Sequence, residues 1–174
     1  MIVKEIRDED FTSYKKPSMV IGFPSCSFKC CKEGGFPIEI CQNCELVKSK
    51  DIEMTPEQIV ERFINNPITS AVVIGGMEPF DSFSDLLQLV AALRKYTMCD
   101  IVIYSGYTKE ELENGWLQIE NRNSNTRRMA YDWLKTFPNI IVKFGRFIPN
   151  QEKHYDEILG VELVSPNQYA ERIS

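Results

Sequence analysis

Five of the six cysteines in this chain fall within nineteen consecutive positions: Cys26, Cys30, Cys31, Cys41 and Cys44. Thiols at that density either hold a metal or cluster, or they cross-link the chain. The start, Met1-Ile2-Val3-Lys4-Glu5, has an early acidic residue and no long apolar run, so no secretory signal is expected. No stretch approaches the roughly 20 apolar residues that span a bilayer. A cytoplasmic location is therefore expected, and in a reducing compartment clustered cysteines bind metal or catalyse rather than form disulfides. Cys99 stands alone beside an expected strand and reads as a buried structural thiol.

At 174 residues, 43% hydrophobic and 26% charged, the chain reads as one domain over 1–174 with a real core. A net charge of −5 disfavours nucleic acid, whose phosphates need a basic surface. The pair Arg127-Arg128 reads as a solvated helix face. His154, in the polar run Gln151–Tyr155, reads as an exposed surface residue. Glu61, Glu110 and Glu111 read as helix-surface carboxylates rather than an acid/base pair.

Alternation of apolar runs and helical patterns sets the fold class. Ile2–Ile6, Met19–Phe23, Ala71–Ile74, Asp100–Tyr104 and Ile140–Phe144 read as strands. Thr55-Pro56-Glu57-Gln58 is a capped helix start running to Phe63-Ile64. Leu86, Leu87, Leu89, Val90 and Leu93 lie at helical spacing up to Tyr96. Thr108-Lys109-Glu110-Glu111 forms a second capping box, and a further helix is expected from Asn125 to Lys135. Between Pro24 and Ile52 the sequence reads as one long functional loop. Strands alternating with helices imply an α/β fold with a mostly parallel sheet, in which ligands bind beyond the carboxyl ends of the strands. The cysteine loop, Gly75-Gly76-Met77-Glu78 and Ser105-Gly106-Tyr107 each follow a strand and are expected to converge there.

Cys41-Gln42-Asn43-Cys44 can chelate one centre from a tight turn, and Cys26 and Cys30 can supply more thiolates. On spacing alone, a four-cysteine zinc site and a [4Fe–4S] cube held by three cysteines are equally open. The turn Gly75-Gly76-Met77-Glu78-Pro79 adds carbonyls that a ligand amino group can approach closely, and a carboxylate to offset its charge. Ser105 and Tyr107 bring a hydroxyl and a ring edge to the same expected pocket.

These residues together resemble the radical S-adenosylmethionine (SAM) superfamily, and most of all the activases that install a glycyl radical in anaerobic ribonucleotide reductase. The resemblance spans nearly the whole chain: the loop from Cys26, Gly75–Pro79, and Ile103–Thr108 followed by Glu110-Glu111. Lys143-Phe144-Gly145-Arg146-Phe147 and Ser165-Pro166-Asn167-Gln168 complete it, resembling the family's Asp-Gly-Arg-Phe and Ser-Asn-Gln segments. Two departures stand out. Glu33 occupies the place of the usual third cysteine, and Cys26, Cys41 and Cys44 give instead a C-x14-C-x2-C spacing, similar to that of some 7-carboxy-7-deazaguanine synthases. Met77 interrupts Gly-Gly-Glu-Pro and leaves open whether Glu78 contacts SAM.

The resemblance implies a [4Fe–4S] cluster on Cys26, Cys41 and Cys44, with Cys30 as the alternative ligand. It implies SAM bound by Gly75, Gly76, Glu78, Pro79, Ser105 and Tyr107, and an open, partial β/α barrel of the radical SAM type, since a full barrel takes about 250 residues. Implied partners are a glycyl radical enzyme, anaerobic ribonucleotide reductase, and a flavodoxin- or ferredoxin-type electron donor. Two alternatives stay open: a radical SAM enzyme acting on a small molecule, and a non-catalytic zinc- or cluster-binding interaction domain.

Overall fold

Each fully apolar run becomes a strand buried on both faces, the mark of a parallel sheet covered on both sides. The structure, a computed structural model, describes residues 1–114 and 122–174, without the side chains of 122–125. In chain order it contains β1 (Ile2–Val3), β2 (Glu5–Asp10), β3 (Ser18–Phe23), α1 (Lys29–Gly34), α2 (Cys44–Lys48), β4 (Ile52–Glu53), α3 (Pro56–Ile64) and β5 (Ala71–Gly76). Then come α4 (Phe83–Tyr96), β6 (Asp100–Tyr104), α5 (Lys109–Glu113), α6 (Arg122–Leu134), β7 (Ile140–Phe144), β8 (His154–Asp156), β9 (Val161–Leu163) and β10 (Tyr169–Arg172).

Six strands form one sheet in the order β10-β7-β6-β5-β3-β2. The inner four are parallel and are laid down one after another in a single direction, while β2 and β10 pair antiparallel at the two edges. The sheet is therefore open and mixed. A one-way parallel order is what a barrel segment shares, but no closed barrel forms, because an antiparallel strand occupies each edge where a further parallel strand would extend the sheet.

Strand pleating sends alternate residues to opposite faces. Ile21, Phe23, Ile74, Ile103 and Val142 meet Ile59 and Phe63 of α3, Leu86, Leu89 and Leu93 of α4, and Tyr131 and Leu134 of α6. On the other face, Val20, Val73, Val102 and Ile141 are covered by Tyr14, Leu159, Leu163 and Ala170. Among the described residues, no helix contributes to that second cluster, and Val20 and Val73 of this face line the cavity at the strand ends.

Both expected capping boxes form, on Thr55 with Gln58 and on Thr108 with Glu111. Strands β6 and β7 have the bounds the apolar runs gave, and α6 begins three residues earlier than expected. The run Ile2–Ile6 is broken at Lys4, whose N–H donates to the Gly22 carbonyl (2.7 Å). The segment 24–52 is not one loop. It holds α1, a 3-10 turn at Ile38–Ile40, and α2, each too short to show a 3.6-residue apolar period in the sequence.

Candidate functional site

Turns at the carboxyl ends of the central strands build the site. In the parallel register Phe23 lies opposite Gly76, and the two chains continue side by side beyond it: Met77 N–H donates to Phe23 O (3.3 Å), and Glu78 N–H to Ser25 O (2.8 Å). Gly76 has φ of +81°, and a Cβ there would stand 2.6 Å from the Gly22 Cα. Only glycine permits this approach.

A cavity of about 370 Å³ opens at these turns, a size typical of small-molecule sites. Its lining includes Cys26, Cys30, Cys41, Gly75, Gly76, Glu78 and Ser105, with Lys143 and Gln168 from the β7–β10 side. The expected convergence of the three turns is thus present in the fold. Among the described residues, Cys44, Pro79 and Tyr107 stand outside the lining. Pro79 is buried at the start of a 3-10 turn, and the Tyr107 hydroxyl faces Asp81 and Ser27.

All six thiols are free. Burial, aided by nearby acidic groups, pushes the Cys26 thiol up to about 12, even though the Phe28 N–H donates to its sulfur (3.2 Å). Desolvation raises Cys30 and Cys31 as well. Buried thiols of this kind keep their protons unless a cation stabilises the thiolate. A Cβ on Gly106 would stand 3.1 Å from the Cys30 sulfur, so that glycine leaves room for the thiol. Among the described residues, no group of three His, Cys, Asp or Glu side chains stands in position to hold a single metal ion.

Glu78 is turned into the protein. Its carboxylate accepts from Ser105 Oγ (2.9 Å), Gly106 N–H (2.7 Å) and Phe80 N–H (3.2 Å). Complete burial nevertheless raises its carboxyl to about 7, with Asp81 adding to the shift. Lys143, on β7, donates to Gly145 O (2.9 Å) and Ser105 O (3.4 Å), and burial lowers its ammonium to about 8. The motif glutamate therefore ties the Gly75-Gly76 turn to the Ser105-Gly106 turn.

Two ionic groups that the sequence reading missed hold the cysteine loop. Asp81 accepts from Ser27 N–H (2.6 Å), Tyr107 Oη (2.8 Å) and Arg127 (2.7 Å), and the Arg127 guanidinium stacks 4.7 Å from the Tyr107 ring centre. Arg127 is thus not on a solvated face, although Arg128 remains half exposed. Glu111 forms a two-pronged pair with Arg146 (2.6 and 2.7 Å) and also holds Lys29, while Arg146 reaches Glu33. Lys29 and Glu33 lie on α1, one turn apart, beside Cys30 and Cys31. Glu111 is accordingly no plain surface carboxylate, and Arg146, followed by Lys29, holds it down near 2. Its capping-box position was the one signal in the sequence. The pairing with Arg146, 35 residues away, was not legible.

His154 is half buried on β8, with Nδ1 enclosed and unpartnered, which corrects the expectation of an exposed side chain. It does not line the cavity. Cys99 is half buried and packs against the helix-side core rather than being fully enclosed.

An open α/β sheet carrying several half-buried free thiols at one ligand cavity defines a class, the metal- or cluster-binding α/β proteins. A family model described as a 4Fe-4S single cluster domain matches residues 20–132, well over half of the chain. The chain belongs to that family. No curated protein matches it. The donor set fits such a cluster, since soft thiolates are its normal protein ligands. No helix among the described residues is long and apolar enough to cross a membrane.

Proposed function

We propose that this chain is a radical SAM enzyme, an activase that installs a glycyl radical on a partner enzyme, anaerobic ribonucleotide reductase. One observation carries the reading: Cys26, Cys30 and Cys41 share one cavity with Gly75-Gly76 and Ser105 at the parallel strand ends, in a member of a 4Fe-4S family, and Cys44 follows Cys41 by three residues. Cys26, Cys41 and Cys44 are the proposed ligands, with Cys30 as the alternative. When bound, the cluster supplies one electron to cleave a carbon–sulfur bond of SAM.

The chain's own residues bind, orient and exclude water. Gly75 and Gly76 line the cavity without side chains, which lets an amino group approach their backbone closely, and Asn43 Nδ2 donates to the Gly76 oxygen from the cysteine segment. Glu78 fixes the distance between the two binding turns. Asp81 with Arg127, and Glu111 with Arg146, hold the first part of the thiol segment, at Ser27, Lys29 and Glu33. The mouth of the cavity at the strand ends gives a macromolecular glycine loop a way in. The proposed electron donor is a flavodoxin- or ferredoxin-type protein, and the proposed location is the cytoplasm.

The reading is tested by incubating reduced, cluster-loaded protein with SAM and a glycyl radical enzyme under anaerobic conditions. A glycyl radical doublet in the electron paramagnetic resonance spectrum is expected. If SAM is consumed and no partner acquires the doublet, the small-molecule reading takes its place, which the C-x14-C-x2-C spacing favours.

A further inference from the structure

Gln168 stands just before the edge strand β10, three strands away from Gly76. Its side chain is 3% exposed and lines the cavity. Nε2 donates to Gly145 O (3.4 Å), and Oε1 has no partner. The network fixes this orientation, because the flipped amide would set its oxygen against the carbonyl. A buried acceptor left unpaired costs about 1–3 kcal/mol, so a native structure normally supplies a donor to it.

Lys143 bonds the same Gly145 oxygen, at 2.9 Å. It is 6% exposed and lines the same cavity. Two carbonyls take two of its three N–H groups, which leaves one donor for a ligand. Two residues of the cavity lining that share the Gly145 carbonyl therefore carry a spare N–H donor, on Lys143, and an enclosed, unpaired amide oxygen, on Gln168.

We propose that Lys143 and Gln168 form a hydroxyl-binding subsite. A hydroxyl oxygen accepts from Lys143 while its own proton goes to Gln168 Oε1. The alternatives serve the pair less well. A carboxylate has no proton for Oε1 and meets the Glu78 carboxyl nearby. An ammonium is repelled by Lys143. A trans peptide group holds its N–H and C=O on opposite sides and cannot serve both heads from one position. The hydroxyl can belong to the sugar of the proposed cofactor or to a substrate. The first source rests on the radical SAM reading and the second does not.

The test compares adenosine, 2′-deoxyadenosine, 3′-deoxyadenosine and glycerol as probes. Binding is followed by calorimetry or saturation-transfer NMR on anaerobically reconstituted protein, with iron measured in the same samples. For a sugar hydroxyl, removing one of the two hydroxyls weakens adenosine binding about tenfold in the wild type, and the difference vanishes in Gln168→Leu. For a substrate hydroxyl, the three nucleosides bind alike, and glycerol binding is lost in Gln168→Leu. If Gln168→Leu, folded by its melting temperature, alters the binding of none of the four probes, the subsite assignment is wrong. Hydroxyl discrimination in protein that takes up no iron would refute the cluster reading and leave the subsite standing.

Discussion

Glu78 joins the two binding turns through Ser105 and Gly106 and holds its own turn through the Phe80 N–H. Glu78→Ala strands the buried Phe80 N–H and the half-buried Gly106 N–H and should destabilise the fold by about 2–3 kcal/mol, read from denaturant midpoints. A conventional surface carboxylate would cost only a few tenths of that. At the thiols, Cys41→Ala and Cys44→Ala are each expected to abolish stable cluster binding, while Cys99→Ala leaves the iron content unchanged. Retention of a full cube by Cys41→Ala would refute the ligand set. Individual residues were only partly legible in the sequence. Motif positions such as Gly76 and Ser105 announce themselves by chemistry and spacing. Arg127 does not, and Arg146 and Gln168 show only as motif positions without a role, since the partners Asp81, Glu111 and Gly145 are chosen by the fold.

Among the elements, α1 has the least support of its own. It spans six residues, and its N-cap, Phe28, sits at φ of +54° with no capping hydrogen bond. The Glu111–Arg146 pair with Lys29 and Glu33 supplies the missing hold. The folded-state carboxyl of Glu111, near 2, lies below its ordinary value of 4.5. This contribution is therefore complete above pH 4.5 and lost as pH falls through 2. Denaturation of the metal-free protein across that window should show a falling stability that Glu111→Gln flattens. An unchanged pH profile in Glu111→Gln would remove the clamp from the account. By contrast, α3 carries its own start signal, and Thr55→Ala should cost about 1 kcal/mol through the lost cap. The same contrast explains legibility. Capping boxes and two-sided apolar strands are written locally, and α3, β6 and β7 were readable from them. The short helices of the thiol segment are held by distant charges, and the edge strand β10 is defined by its pairing with β7.

For the whole molecule, the parallel strands laid down in one direction bring the cysteine segment, the Gly75-Gly76 turn and the Ser105-Gly106 turn to one cavity at their carboxyl ends. An α/β architecture with a mostly parallel sheet follows from the alternation of runs alone, while its openness was implied by the resemblance together with the chain's length. The antiparallel strand at each edge did not, because β2 (Glu5–Asp10) and β10 lack the two-sided apolar pattern of buried strands. The central claim is that the thiol segment and the glycine turns form one site for a cluster and SAM. Its most direct measurement is the release of 5′-deoxyadenosine from SAM by anaerobically reconstituted, dithionite-reduced protein, quantified by mass spectrometry. The account predicts release that requires the cluster and is lost in Cys41→Ala. Cluster-loaded, reduced protein that releases none would contradict it.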